Sequence, residues 1–256
     1  MKVHFCHANG FPAKSYSVML DRIAENFELS FLDMHGHHPN YPISNNWQYL
    51  VNELIDEITV LHHEPIVAIG HSMGGVLIFL AAQQRPELFK HLILLDPPLL
   101  DTMASMMIGL AKRFKFIDRI TPAGRTKGRQ EVFEDHQHAF EYFSNKSLFK
   151  RADARCLKDY IEHGTARLNQ SLKLKYGVEN EVAIYRTLPN NISLKNSIVP
   201  STLLYGDSSD VIRPALLRQL KNIPSMDVKA VHGGHLFPLE FPAQTADHIQ
   251  AIIEAL

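Results

Sequence analysis

Residues 66–78 read Ile66-Val67-Ala68-Ile69-Gly70-His71-Ser72-Met73-Gly74-Gly75-Val76-Leu77-Ile78, and this stretch decides the fold. Ile66 to Ile69 is a short apolar run of the kind that forms a buried strand, and Val76 to Gln84 has the length and composition of a helix. Between them lies Gly-x-Ser-x-Gly. Such a run occurs by chance in about one chain in ten of this size, so its neighbours must decide its meaning. A strand running straight into the glycine and a helix leaving it make a sharp turn. The serine at its apex takes strained backbone geometry, and side chains beside it would clash. Gly70 and Gly74 remove those side chains, and Gly75 lets the helix approach the sheet. The competing reading is a plain strand-to-helix turn that contains a serine. The context favours Ser72 as a nucleophile.

Working outward, Val3 to Cys6, Leu29 to Leu32 and Leu92 to Leu95 are further short apolar runs. Amphipathic segments separate them at Tyr16 to Glu25 and Trp47 to His62. In the second, Leu50, Leu54, Ile55, Ile58 and Leu61 recur at helical spacing. Strands alternating with helices predict a parallel sheet covered on both faces. From Pro98 to Ile198 the pattern breaks. No clear strand is evident, and helices are expected near Met103 to Phe114, Glu131 to Phe143 and Ala152 to His163. Lys112, Arg113, Lys115, Arg119, Arg125, Lys127 and Arg129 are expected to form a solvated basic face. Strand signals return at Thr202 to Tyr205 and Val228 to Val231, and Ala243 to Leu256 closes with a helix. The expected organisation is a core of residues 1–97 and 199–256, interrupted by a helical insertion over residues 98–198.

A serine hydroxyl needs a base, and the base needs an orienting acid. His235 lies in Val231-His232-Gly233-Gly234-His235, past the last strand, where two glycines let the loop carry an imidazole over the sheet. His232 competes, but it sits nearer the strand and is expected to cap it or face solvent. The acid is sought in Gly206-Asp207-Ser208-Ser209-Asp210-Val211-Ile212. Asp210 is preferred because apolar residues follow it. Asp207, beside Gly206, suits a turn residue and stays open as the alternative acid. The order Ser72, Asp210, His235 is the one expected with this turn, and all three follow strand ends, where open parallel sheets place their sites. The developing oxyanion needs backbone N–H donors. Met73 supplies one. Phe11, in His7-Ala8-Asn9-Gly10-Phe11-Pro12, is the first choice for the other, and Asn9 the second.

Together these segments resemble the α/β-hydrolase superfamily over the first hundred and last sixty residues. His7 to Pro12 resembles its His-Gly oxyanion loop, with Ala-Asn inserted. Asp33-Met34-His35-Gly36-His37 resembles its Asp-Leu-Arg-Gly-His segment, and Gly234-His235 its histidine loop. The resemblance implies a mostly parallel six-stranded sheet without the usual leading hairpin, and a helical cap over residues 98–198 that shapes the substrate pocket. Met103, Met106, Met107, Phe114, Phe116, Phe133, Phe140 and Phe143 are available to line that pocket or to pack between cap and sheet. The implied activity is ester hydrolysis through an acyl-enzyme, on small or medium apolar substrates. Serine at the turn argues against relatives that use a carboxylate there. Thioesterase, lactonase, aminopeptidase and carbon–carbon bond hydrolase remain alternatives, as does a slow-turnover binding or signalling protein on the same fold.

The resemblance implies a small-molecule substrate, and composition argues against larger partners. The 256 residues are 45% hydrophobic and 21% charged, with a formal charge of −1, so no basic excess suggests nucleic acid. No apolar run approaches the roughly 20 residues of a membrane span. Two distant cysteines and a polar start suggest a cytoplasmic protein with free thiols. The 15 histidines show no metal-ligand spacing, so neither metal nor cofactor is expected. Oligomeric state is not encoded in any pattern found here.

Overall fold

The computed structural model describes residues 1–256, the side chain of Asn196 excepted. The strands are β1 (Lys2–Cys6), β2 (Glu28–Phe31), β3 (Ile66–His71), β4 (Phe89–Leu95), β5 (Val132–Phe133), β6 (Thr165–Leu168), β7 (Ser171–Leu174), β8 (Ser201–Gly206) and β9 (Met226–Val231). Six of them form one sheet in the order β2-β1-β3-β4-β8-β9, and every pairing is parallel. Helices α1 (Ser17–Ala24), α2 (Gln48–Leu61) and α3 (Met73–Gln84) connect the first strands.

Side chains alternate across a strand, and the central strands use both faces. Ile93 and Leu95 of β4 join Val67 and Ile69 of β3 in a core with Met19 and Ile23 of α1. Leu92 and Leu94 face the other way, into a core with Leu50, Leu54, Val76 and Leu77 of α2 and α3. Strands buried on both faces read as unbroken apolar runs, which is why they stand out in the sequence.

The insertion between β4 and β8 carries α4 (Thr102–Arg113), two single turns α5 (Ile117–Ile120) and α6 (Ala123–Thr126), α7 (His136–Ser144), α8 (Ala154–Gly164) and α9 (Val178–Arg186). It is not purely helical, contrary to the sequence-based expectation. β5, β7 and β6 form a small antiparallel sheet, with β6 and β7 joined at Asn169 and Gln170. Asn169 takes φ 56°, the left-handed geometry that a tight hairpin needs. The helix expected from Glu131 starts only at His136, because Asp135 caps it by accepting the His138 N–H at 2.8 Å. These strands are two to four residues long, too short for their alternation to stand out.

After β8 and β9 come α10 (Pro214–Leu220), α11 (Phe237–Glu240) and α12 (Pro242–Glu254). Ala246, Ile249 and Ile253 of α12 enter the same core as α1, so its apolar side packs on the sheet. Among the described residues, no helix is long and apolar enough to cross a membrane.

Candidate active site

β3 ends at His71, and Ser72 turns the chain into α3 with φ 52° and ψ −114°. That left-handed geometry is costly for a residue with a side chain, and the surroundings enforce it. The Ser72 N–H donates to Leu95 O at 2.9 Å, and the Gly74 N–H to His7 O at 3.1 Å. A Cβ on Gly74 would lie 2.1 Å from Cys6 O, and one on Gly70 would lie 2.4 Å from Gly74 O. Glycine at both positions is therefore a steric requirement of the turn.

Ser72 Oγ lies 3.0 Å from His235 Nε2. His235 Nδ1 lies 2.7 Å from Asp96 Oδ2. With the imidazole neutral, its Nδ1–H donates to the carboxylate and Nε2 accepts from the serine hydroxyl. Asp96 is fully buried and also accepts from Ser209 Oγ at 2.5 Å. It follows β4 directly, with φ 46°, and its N–H donates to Leu204 O of β8 at 2.8 Å. The carboxylate thus rises between the strand that carries Ser72 and the strand whose loop was expected to hold the acid.

Asp210 is exposed and makes no bond to His235 among the described residues. The expectation that it orients His235 is corrected to Asp96. Asp207 is likewise turned away. It accepts from the Gly233 N–H at 3.1 Å and meets exposed His232 at 3.3 Å, which hold its carboxyl below its ordinary range. Among the described residues, the loop after β8 meets Asp96 through the Ser209 hydroxyl. The chain order serine, aspartate, histidine still holds. The missed signal is Leu95-Asp96-Pro97-Pro98, an aspartate at the very end of a buried strand followed by two prolines.

His71 sits inside the turn, fully buried, its ring centroid 5.1 Å from that of His235. Burial pushes its pKa down to about 3, so it stays neutral. Its Nε2–H donates to His235 O at 2.9 Å, and its Nδ1 accepts from the Tyr16 hydroxyl at 2.7 Å. Tyr16 in turn accepts from the Ala8 N–H at 3.4 Å. One chain of hydrogen bonds therefore links the loop after β1, the serine turn and the histidine loop.

The loop after β1 faces Ser72 across a cavity of about 70 Å³. The Phe11 N–H donates to Ala8 O at 3.1 Å, closing a turn, so the expectation that it serves as second oxyanion donor is corrected. The Asn9 N–H has no partner among the described residues, and Asn9 lines the cavity. The Met73 N–H opens α3, where a helix leaves its donors free. His7 fixes the loop. Its Nδ1 bonds Ala8 O at 2.8 Å, and its Nε2 accepts from the His35 N–H at 2.8 Å.

Ala8, Asn9, Phe11, Ser72, His235 and Leu236 make the core wall of this cavity. Arg129, Leu148, Phe149, Tyr160, Glu181 and Tyr185 of the insertion make the other. Of the residues offered as pocket lining, Phe133 and Phe143 are buried in the main core, and Phe140 and Phe116 pack against core clusters. Met103, Met106 and Met107 lie on the solvent face of α4, which buries Ile108 and Ala111 instead, and Phe114 is exposed just past its end. None of the eight touches the cavity. The expected solvated basic face also loses two members. Lys112 donates to Asn45, Asn46 and Asn190, and its burial lowers its pKa to about 8. Arg129 turns inward to Glu181.

The type I acyl-CoA thioesterase mpaH of Penicillium brevicompactum is 25% identical over 174 residues, covering 61% of this chain and 38% of that protein. The monoglyceride lipase of Mus musculus is 22% identical over 138 residues, covering 51% of this chain and 45% of that protein. The chain thus spans less than half the length of these curated relatives. Among solved structures, E-2-(acetamidomethylene)succinate hydrolase superposes with a TM-score of 0.78 at 18% identity, over 99% of this chain and 91% of the other. The thioesterase domain from the curacin biosynthetic pathway superposes with a TM-score of 0.72 at 20% identity, over 97% and 91%. At these identities the superpositions speak for the fold. A family model described as the alpha/beta hydrolase fold matches residues 7–242, from the loop after β1 past the serine turn and the histidine loop, and the chain belongs to that family.

Proposed function

We propose that the protein is a serine-dependent hydrolase of carboxylic esters with short acyl groups. The observation that carries the reading is the unbroken relay from Ser72 Oγ through His235 to buried Asp96, with spacings of 3.0 and 2.7 Å, on a turn that exposes the serine to a cavity. His235 takes the hydroxyl proton as Ser72 attacks the ester carbonyl. Asp96 holds the Nδ1–H tautomer and stabilises the imidazolium that forms. The Met73 and Asn9 N–H groups meet the oxyanion. The leaving alcohol departs with the proton from His235, and water then hydrolyses the acyl-enzyme by the same steps in reverse.

The cavity narrows the substrate. A dry cavity of about 150 Å³ takes a benzene molecule, and the space beside Ser72 is about 70 Å³. Small acyl groups fit it better than the medium-sized ones that the apolar content of residues 98–198 suggested. That segment acts as the cap, since it supplies half of the cavity wall.

Turnover of p-nitrophenyl acetate and butyrate tests the reading. Ser72→Ala should reduce kcat by on the order of 10³-fold or more. Wild-type rates in that variant would sink it. A thioester reading is favoured by the likeness to mpaH. It uses the same acyl-enzyme, and a short acyl-CoA panel on the same two proteins separates it from the ester reading.

A further inference from the structure

The cap wall of the cavity holds a buried ion pair that alkyl binding does not require. Arg129 Nη2 donates to Glu181 Oε2 at 2.5 Å, with side-chain exposures of 17% and 5%. The Glu181 carboxyl rests on Gly10, where an added Cβ would lie 2.7 Å from its carbon, and Asn9 Nδ2 donates to Glu181 O at 3.0 Å. The pair therefore lies against the same loop that faces Ser72. Arg129 Nε is buried and has no partner among the described residues. Tyr160 lines the same cavity, and no partner for its hydroxyl is seen among the described residues.

Burying an ion pair costs more than burying apolar side chains of equal volume. An alkyl group seated here would further desolvate the pair and leave the spare donors unanswered, which is costly. An oxygen acceptor would answer them. Glu181 already balances the charge of Arg129, so a second carboxylate would bring excess negative charge into a closed space.

We propose that Arg129, held by Glu181, and the Tyr160 hydroxyl form a donor subsite for an uncharged oxygen, an ether, carbonyl or hydroxyl, in the acyl group of the substrate. The proposal rests on the ester-hydrolase reading and names its substrate class. The protein selects short oxygenated acyl groups over alkyl groups of the same length, and rejects acyl groups that end in a carboxylate.

The test compares p-nitrophenyl methoxyacetate, butyrate and hemisuccinate on the wild type and on Arg129→Met/Glu181→Leu. The double variant removes both charges together, so no unpaired ion is left to unfold the protein. The methoxyacetate-to-butyrate ratio of kcat/KM, taken relative to the wild type, cancels the intrinsic reactivity of the esters. It should fall at least tenfold in the double variant, mainly through KM, and hemisuccinate should be the poorest wild-type substrate. A ratio unchanged within twofold, or hemisuccinate as the best wild-type substrate, overturns the proposal. Calorimetric binding of methyl methoxyacetate and methyl butyrate to Ser72→Ala reads the same ranking without chemistry. If no ester is turned over, the hydrolase reading falls while this ranking still decides the subsite: preference for methoxyacetate upholds it, and equal or reversed binding overturns it.

Discussion

On the core wall of the cavity, Ser72, Asp96 and His235 stand just beyond the ends of three strands of one parallel sheet. On the cap wall, Arg129, Tyr160, Glu181 and Tyr185 hang from helices and loops tied down by side-chain bonds to backbone, such as Trp47 Nε1 to Ile184 O at 2.9 Å and Asn180 Nδ2 to Gly36 O at 2.7 Å. The core wall holds its polar groups through backbone geometry. Ser72 and Asp96 both take positive φ, and neighbouring strands bond their N–H groups. The cap wall holds its polar groups by pairing charge with charge. The first arrangement fixes atoms to the tolerance that chemistry needs. The second depends on which charged and polar side chains the insertion brings together against the loop after β1.

The comparison breaks first if the acid is misassigned. Asp96→Asn should lower kcat by on the order of 10³–10⁴-fold, since the wrong histidine tautomer is then favoured. Asp210→Asn should leave kcat unchanged, because its side chain is exposed. Steady-state kinetics on both variants settles the matter, and the reverse result would move the core wall to the loop after β8.

A smaller effect separates the cap wall. Arg129→Met alone leaves Glu181 buried without its partner and should destabilise the fold by about 3 kcal/mol. Arg129→Met/Glu181→Leu should recover most of that loss in urea unfolding. Equal losses in both variants would mean that the pair matters by packing and not by charge.

The smallest effect per residue concerns the core. His4 and His71 are held near pKa 3 by burial, and His7 is held well below its ordinary value. All three are neutral in the fold, while the unfolded chain binds protons below about pH 6.5. Stability is therefore full above that pH and falls as the pH drops toward the folded values. The slope is about 1.4 kcal/mol per pH unit for each histidine. Tm measured from pH 7 to pH 5 should fall, and His71→Asn should make the slope shallower by one proton. A flat profile would show that these rings find protons without unfolding.

Much of the core wall was legible in the chain. Strands buried on both faces must be apolar throughout, and the turn at Ser72 must have glycine at 70 and 74 because neighbouring backbone fills the space. The glycines beside His235 mark a loop free to return over the sheet. Asp96 was not legible in the same way. A single aspartate after a strand resembles any strand end, and the loop after β8 offered two aspartates, of which Asp210 had the better local grounds. Only the placement of β4 between β3 and β8 shows which carboxylate lies under the imidazole. The Phe11 N–H was likewise taken by a turn that closes on Ala8, which spacing along the chain cannot reveal.

Residues 98–198 lie at the other extreme. α4, α7 and α8 could be read from periodicity, but α5, α6 and α9 could not, nor could the direction each face takes. Met103, Met106 and Met107 look like packing between cap and sheet or like pocket lining and face solvent, while Arg129 looks like a surface cation and faces the cavity. By itself, then, the sequence determined the parallel sheet, the serine on its glycine turn and the histidine loop that meets it, because local backbone sterics and two-sided burial dictate those residue types. The tertiary structure decided which carboxylate meets His235, which loop N–H stays free beside Ser72 and the polar wall opposite it, because each depends on which distant segments meet, and burial and charge pairing act through space.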